Sequence, residues 1–78
     1  MTLLRLVQYN EGVYRVLDAD GGHVGNLKRI GAIWKFKAIG YDAAGQVIPG
    51  GGPLTHRHNE VFAMPDAPQL NARLLRSA

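Results

Sequence analysis

Residues 33–41 read Ile33-Trp34-Lys35-Phe36-Lys37-Ala38-Ile39-Gly40-Tyr41 and show the clearest two-residue alternation in the chain. Successive side chains of an extended strand lie on opposite faces of a sheet. Trp34, Phe36 and Ala38 therefore share one face, whereas Lys35 and Lys37 lie on the opposite face. This pattern predicts a half-buried strand whose aromatic face packs into the core and whose lysines face solvent.

Shorter β-prone segments flank this strand and are separated by residues that favour turns. We predict further strands over residues 3–9, 13–17, 23–29 and 46–48. The intervening segments each contain at least one glycine, and the Asp20-Gly21 pair suits a hairpin turn with positive φ. Pro49 ends the last strand or confines it to a sheet edge. Together these segments predict an antiparallel meander of four or five strands.

The last third of the chain carries the signals of a helix start. Asp66 can cap free backbone amides, Pro68 falls in the tolerated first turn, and Gln69 stands at the capping-box spacing from Asp66. We predict a helix from Ala67 to about Ser77. Its apolar face, which we expect to cover the sheet, consists of Ala67, Leu70, Leu74 and Leu75.

Asn71 interrupts this apolar face of the predicted helix. Its side chain either lies at the edge of the apolar stripe or bonds a buried backbone group, since a buried amide must be hydrogen-bonded. We favour the edge position, because it avoids the cost of burying a polar group.

These elements predict one small α+β domain over residues 1–78, an antiparallel four- to five-stranded β-meander with a C-terminal α-helix packed on one face. The other face is expected to carry Arg15, Lys28, Lys35 and Lys37. A chain of this length hides only about 60% of the surface that its unfolded form exposes, which leaves a thin stability margin. A homodimer is one way to supplement so small a core.

Composition limits the classes of protein to which the chain can belong. It has no cysteine, which excludes a disulfide framework and a thiolate metal site and fits a reducing cytoplasm. Its N-terminal segment is too short and too polar for a signal peptide or a membrane span, so we expect a cytoplasmic protein with no membrane partner. The formal net charge of +3 weakly favours acidic partners.

Residues 49–59 read Pro49-Gly50-Gly51-Gly52-Pro53-Leu54-Thr55-His56-Arg57-His58-Asn59, a composition typical of a loop with a specified shape. We expect Thr55 to cap a helical turn over residues 56–63; the alternative is a final strand over residues 61–64. Amides in such a turn, with the charge of Arg57, could hold a small anion or a partner's carboxylate. A tight turn without a ligand is the plainer interpretation. The candidate binding residues here are Thr55, His56, Arg57 and His58.

Three other kinds of site fit the sequence less well. A zinc or copper site built from His23, His56 and His58 lacks the ligand spacing of known zinc sites, so we predict no metal. A nucleotide phosphate loop needs a lysine that the glycine-rich segment lacks, and we predict no cofactor. Enzymatic catalysis is disfavoured as well, because the chain has no cysteine nucleophile and its aspartates stand mostly in turns.

Aromatic and basic residues are interleaved near the alternating strand, as in proteins that stack single-stranded nucleic acid on a sheet. The aromatic residues are Trp34, Phe36 and Tyr41, and the basic residues are Lys28, Arg29, Lys35 and Lys37. Alternation argues against stacking, because Trp34 and Phe36 lie opposite the lysines. A domain of this size needs such aromatics in its core, so the core is the favoured location.

The run Gly25-Asn26-Leu27-Lys28-Arg29-Ile30-Gly31-Ala32-Ile33-Trp34-Lys35-Phe36-Lys37-Ala38, continued by residues 49–55, resembles small bacterial proteins of unknown function. The resemblance spans most of the chain. It implies a bacterial, cytoplasmic setting and carries no functional residues over to this sequence.

The sequence favours a non-enzymatic binding or assembly module that uses the basic sheet face and the loop of residues 49–59. Its partners would be an acidic protein or a second copy of the chain. The alternative is a nucleic-acid-binding protein that contacts phosphates through Lys28, Arg29, Lys35 and Lys37, with an affinity that falls steeply as salt rises. A small enzyme or a metal protein is the third hypothesis.

Overall fold

The computed structural model describes residues 3–75, which form an antiparallel sheet and one helix. The elements are β1 (Arg5–Asn10), β2 (Val13–Leu17), β3 (His23–Ile30), β4 (Ile33–Tyr41), β5 (Val47–Pro49), a single 3₁₀ turn (Thr55–Arg57), β6 (Val61–Phe62) and α1 (Ala67–Leu74). The predicted α+β meander with a C-terminal helix is confirmed. Pro49 ends β5, which lies at the sheet edge as predicted.

Strand β4 is the only described strand that pairs with three others. The sheet order is β1-β2-β3-β4-β5, and β6 also pairs with β4. One edge of β4 pairs with β3, where Leu27 lies opposite Phe36. On its other edge, β6 pairs with the beginning of β4 and β5 pairs with the end. This double pairing makes β4 the centre of the fold.

The core lies between the sheet and α1, as the alternation of β4 predicts. We call the sheet face that carries this core the inner face. Phe36 and Ala38 are 0% and 1% exposed on the sheet side, and Leu70 and Leu74 are 0% and 1% exposed on α1. The ring of Phe36 lies against the backbone of Gly25, where a Cβ would come within 2.5 Å of the ring. Glycine at position 25 therefore lets the largest core side chain of β4 pack across β3.

The helix begins as predicted but is shorter than predicted. The Gln69 amide donates to Asp66 Oδ2 at 3.0 Å, and Pro68 lies in the first turn. Regular helix ends at Leu74, because Leu75 leaves helical geometry with φ −98° and ψ 3° and packs against the core. Ser77, where the sequence predicts the end, lies outside the described residues.

Asn71 ties the helix to the N-terminal end of the chain. The Leu4 amide donates to Asn71 Oδ1 at 2.6 Å, and Asn71 Nδ2 donates to the carbonyls of Leu4 and Ala67 at 3.0 and 2.9 Å. The favoured edge position was therefore wrong, and the alternative of a bonded backbone group is correct. The carboxamide gives Leu4, a buried residue before β1, the two hydrogen bonds that a neighbouring strand would supply.

We expect Asn71→Ala to lower the free energy of unfolding by about 1–3 kcal/mol, because the Leu4 amide and carbonyl lose their partners in a partly buried position. Urea denaturation followed by circular dichroism measures this loss. Gln69→Ala, which removes an exposed side chain from the same helix, is the control. A loss for Asn71→Ala no larger than the control's would contradict this role of the carboxamide.

Candidate functional site

The glycine-rich loop of residues 49–59 lies along an edge of β4 and fills the gap between β5 and β6. The Gly50 amide donates to the Ala38 carbonyl at 2.8 Å, and the Ala38 amide donates to His58 Nδ1 at 3.1 Å. The Asn59 amide donates to the Phe36 carbonyl at 2.7 Å, and the Phe36 amide donates to the Glu60 carbonyl at 2.8 Å. The loop therefore acts as a strand would, because it pairs the backbone groups that β5 and β6 leave open.

The helical turn in this loop differs from the prediction. Only the 3₁₀ turn Thr55–Arg57 forms, its cap position is Leu54, and no side chain caps it. Thr55 Oγ1 instead donates to the Gly50 carbonyl at 2.5 Å. The predicted turn to residue 63 is wrong, because Val61–Phe62 pairs with β4 as a strand and satisfies the strand's edge.

The other candidate residues of the loop divide between the interior and the surface. Arg57 is half-buried, and its Nη1 lies 3.9 Å from Glu60 Oε1. His58 is held by its bond to the Ala38 amide, whereas His56 is exposed. Three of the four predicted binding residues, Thr55, Arg57 and His58, thus make contacts within the fold.

Close packing explains one glycine of the loop, Gly52, and one glycine of β4, Gly40. Gly52 has a φ of 86°, and a Cβ there would overlap the carbonyl of Ile39. A Cβ on Gly40 would come within 2.5 Å of the Gly52 amide nitrogen. The loop backbone therefore crosses directly over β4 at Gly40, and both positions need a residue without a side chain.

His23, His56 and His58, considered above as metal ligands and disfavoured, form no such group: among residues 3–75, no three His, Cys, Asp or Glu residues are placed to hold a metal ion. His23 lies on the sheet. Its Nδ1 is 3.0 Å from the Tyr41 hydroxyl, and its Nε2 is 2.9 Å from Asn26 Oδ1. His58 Nδ1 is occupied by the Ala38 amide.

The sheet face opposite α1, which we call the outer face, collects the basic strand residues. Paired residues of neighbouring strands lie on the same face. The register joins Val7, Arg15, Asn26 and Lys37 in one row across four strands, and Val13, Lys28, Lys35 and Val61 in another. Arg5 shares this face with Val7, two residues along β1. The basic residues of the outer face are Arg5, Arg15, Lys28, Lys35 and Lys37.

The charges of the outer face are not neutralised within the described part of the chain. None of the six described strands contains Asp or Glu. The ion pairs among residues 3–75 join Glu60 to Arg57 and to Arg73. Lys37 Nζ donates to Asn59 Oδ1 at 2.6 Å, which holds the lysine without cancelling its charge. The outer face therefore carries five basic residues and no acidic residue from the described strands.

Lys28 and Lys35 lie directly opposite each other on β3 and β4. Like charges in opposed positions of an antiparallel pair destabilise a sheet. Arg29, which the sequence analysis groups with these lysines, instead pairs with Trp34 of β4 and therefore lies on the inner face. The structure thus brings together Lys28, Lys35 and Lys37 but not Arg29.

Two exposed tyrosines lie on the outer face. Tyr9 is 71% exposed and borders a groove of about 210 Å³ that Val13, Arg15, His23 and Asn26 also line. Tyr41 is 48% exposed and follows Lys37 by four residues, so it shares the face of the lysines. Alternation along residues 33–41 is the sequence signal that could have placed Tyr41 on the face opposite Trp34 and Phe36. Tyr9 lies at a register shift between Gln8 and Asn10, which no sequence pattern indicates.

Trp34 and Phe36 occupy the inner face, as the core interpretation predicts. Phe36 is fully buried, and Trp34 packs against the core with its ring edge-on to Tyr14 at 5.4 Å between centroids. Neither ring is available to a ligand on the outer face.

No family model matches this chain, and neither the curated proteins nor the solved structures contain a match. Within residues 3–75, no helix has the length and hydropathy needed to cross a membrane.

Gly52→Ala is expected to destabilise the protein more than Gly45→Ala, although both glycines have a φ above 80°. A Cβ at Gly45 meets nothing within 4 Å, so its cost is the backbone strain of about 1–2 kcal/mol. At Gly52 the clash with β4 adds about 1–3 kcal/mol of overpacking. Guanidinium denaturation of the two variants measures the difference, and equal losses would contradict the crossing of loop and strand.

Proposed function

We propose that this chain is a non-enzymatic binding module that holds a negatively charged macromolecule on its outer face. The observation that carries the proposal is the gathering of Arg5, Arg15, Lys28, Lys35 and Lys37 on a face whose strands contain no acidic residue. A basic surface of this kind attracts polyanions and releases their counterions on binding.

The opposed lysines give a second line of support. A pair of opposite charges at Lys28 and Lys35 would stabilise the sheet, whereas the pair of like charges costs about 0.2–1 kcal/mol. In a marginally stable small domain this is a substantial fraction of the total. An anionic partner between the two ammonium groups would remove the repulsion, so the arrangement suits a bound state better than the free protein.

The loop of residues 49–59 has a structural role in this proposal. Of the loop side chains that could act as nucleophile or base, Thr55 and His58 bond the Gly50 carbonyl and the Ala38 amide, and His56 is exposed. Because Thr55 and His58 hold the backbone in place, a binding role is favoured over an enzymatic one. Self-assembly through the outer face is disfavoured, because two copies would oppose surfaces of the same charge.

Lys28→Glu tests the proposal by changing stability and binding in opposite directions. The variant places opposite charges across β3 and β4, so we expect the free energy of unfolding to rise by about 0.2–1 kcal/mol. Binding to heparin, a polyanion without bases, is expected to weaken roughly tenfold at low salt, since each lost lysine contact is worth about 1 kcal/mol and reversal adds repulsion. Thermal unfolding and fluorescence anisotropy with labelled heparin measure the two effects.

Arg29→Glu is the matched control, because it makes the same change in net charge at the neighbouring residue on the other side of the sheet. We expect it to weaken heparin binding less than Lys28→Glu and to give no gain in stability. If both variants weaken binding equally, net charge alone governs the interaction and the outer face is not the binding surface.

A further inference from the structure

We infer that the macromolecule on the outer face is single-stranded nucleic acid, and that its bases stack on Tyr9 and Tyr41. This inference rests on the proposed function, because the basic residues of the same face would hold the phosphates. It goes further by assigning a role to the two aromatic residues that the fold leaves exposed.

Tyr9 and Tyr41 are exposed on the outer face, although a small domain has few aromatic residues. A domain of this size needs its aromatic residues in the core, yet Tyr9 and Tyr41 are 71% and 48% exposed. Both lie on the face that carries the unneutralised lysines and arginines. Proteins that bind single strands combine cationic side chains, which follow the backbone, with aromatic rings on which bases stack. The outer face has both components, whereas an acidic protein partner would use only the charges.

A contact with His23 holds the Tyr41 side chain in place. Asn26 Oδ1 can only accept, so the 2.9 Å contact assigns a proton to His23 Nε2. In the neutral imidazole, Nδ1 then accepts from the Tyr41 hydroxyl at 3.0 Å. The imidazole and phenol rings are inclined at 49° with centroids 6.3 Å apart, so His23 does not stack on the Tyr41 ring. A ring fixed in this way loses little conformational freedom when a base stacks on it.

The groove beside Tyr9 is lined by side chains that can bind the edge of a base. Its volume of about 210 Å³ lies between the Tyr9 ring and the polar side chains of Arg15, His23 and Asn26. Because Asn26 Oδ1 accepts from His23, its amide nitrogen is left as a donor, and the Arg15 guanidinium supplies further donors. Donors beside an aromatic ring can bind the acceptor atoms on the edge of an unpaired base. A duplex keeps these bases stacked within the helix, so the groove suits a single strand.

The test compares five labelled ligands by fluorescence anisotropy at low salt: a mixed-sequence single-stranded DNA, an abasic strand of the same length, the corresponding duplex DNA, polyglutamate, and heparin. We expect the complete strand to bind at least about fivefold more tightly than the abasic strand, from the measured worth of base stacking. Tyr9→Ala and Tyr41→Ala should each remove at least about fivefold of the affinity for the complete strand. Both variants should bind the abasic strand and heparin as the unmodified protein does.

Tyr9→Phe and Tyr41→Phe are the matched controls, because they keep the ring and remove only the hydroxyl. We expect Tyr9→Phe to bind the complete strand as the unmodified protein does, and Tyr41→Phe, which loses the bond to His23, to retain more affinity than Tyr41→Ala. Circular dichroism verifies that each variant is folded.

The outcomes separate the two proposals. The stacking inference would be overturned by equal affinity for the complete and abasic strands. It would also be overturned if duplex DNA or polyglutamate bound more tightly than the single strand. In either case, binding of heparin would still support the proposed function of the outer face. Failure to bind any of these polyanions would overturn both.

Discussion

Hydrogen bonding along both edges of β4 is the constraint on which the rest of the structure depends. One edge pairs with β3, and the other is completed in turn by β6, the loop of residues 49–59 and β5. With its backbone fixed on both sides, β4 must alternate strictly between the two faces. Phe36 and Ala38 are thereby buried under α1, while Lys35 and Lys37 are directed to the outer face. The alternation of β4 therefore contributes side chains both to the core and to the basic outer face.

The loop of residues 49–59, which contains the candidate binding residues Thr55, His56, Arg57 and His58, pairs with this strand. His58 accepts from the Ala38 amide, and Gly52 permits the loop to cross β4 at Gly40. Small domains have few residues with which to close a sheet edge, and an open edge invites pairing with other chains. The unusual composition of the loop is explained by its backbone path along β4, and the proposed binding surface lies on the outer face of the sheet.

The sequence predicts those features whose cause is local. The alternation of residues 33–41, the glycine turns and the Asp66 cap act over a few residues, and the four long strands and the helix start follow from them. The sequence left the hydrogen-bonded position of Asn71 and a strand over residues 61–64 as alternatives but could not choose them, and it did not indicate the bond of His58. The partners in these three cases, Leu4, β4 and Ala38, are distant in sequence. The sequence predicts Arg15, Lys28, Lys35 and Lys37 on the outer face, and alternation places Arg29, the neighbour of Lys28, on the opposite side. Arg5 is found only from the register of β1 with β2.

Because β4 is paired on both edges, its lysines lie on the outer face, where Tyr9 and Tyr41 are exposed. A ¹⁵N amide NMR titration with a short single-stranded oligonucleotide, at low and then at high salt, tests this link. We expect shifts at Lys28, Lys35 and Tyr41 that disappear at high salt, with the amides of α1 unchanged. Shifts centred on residues 50–58, or an unchanged spectrum at low salt, would contradict the assignment of binding to the outer face.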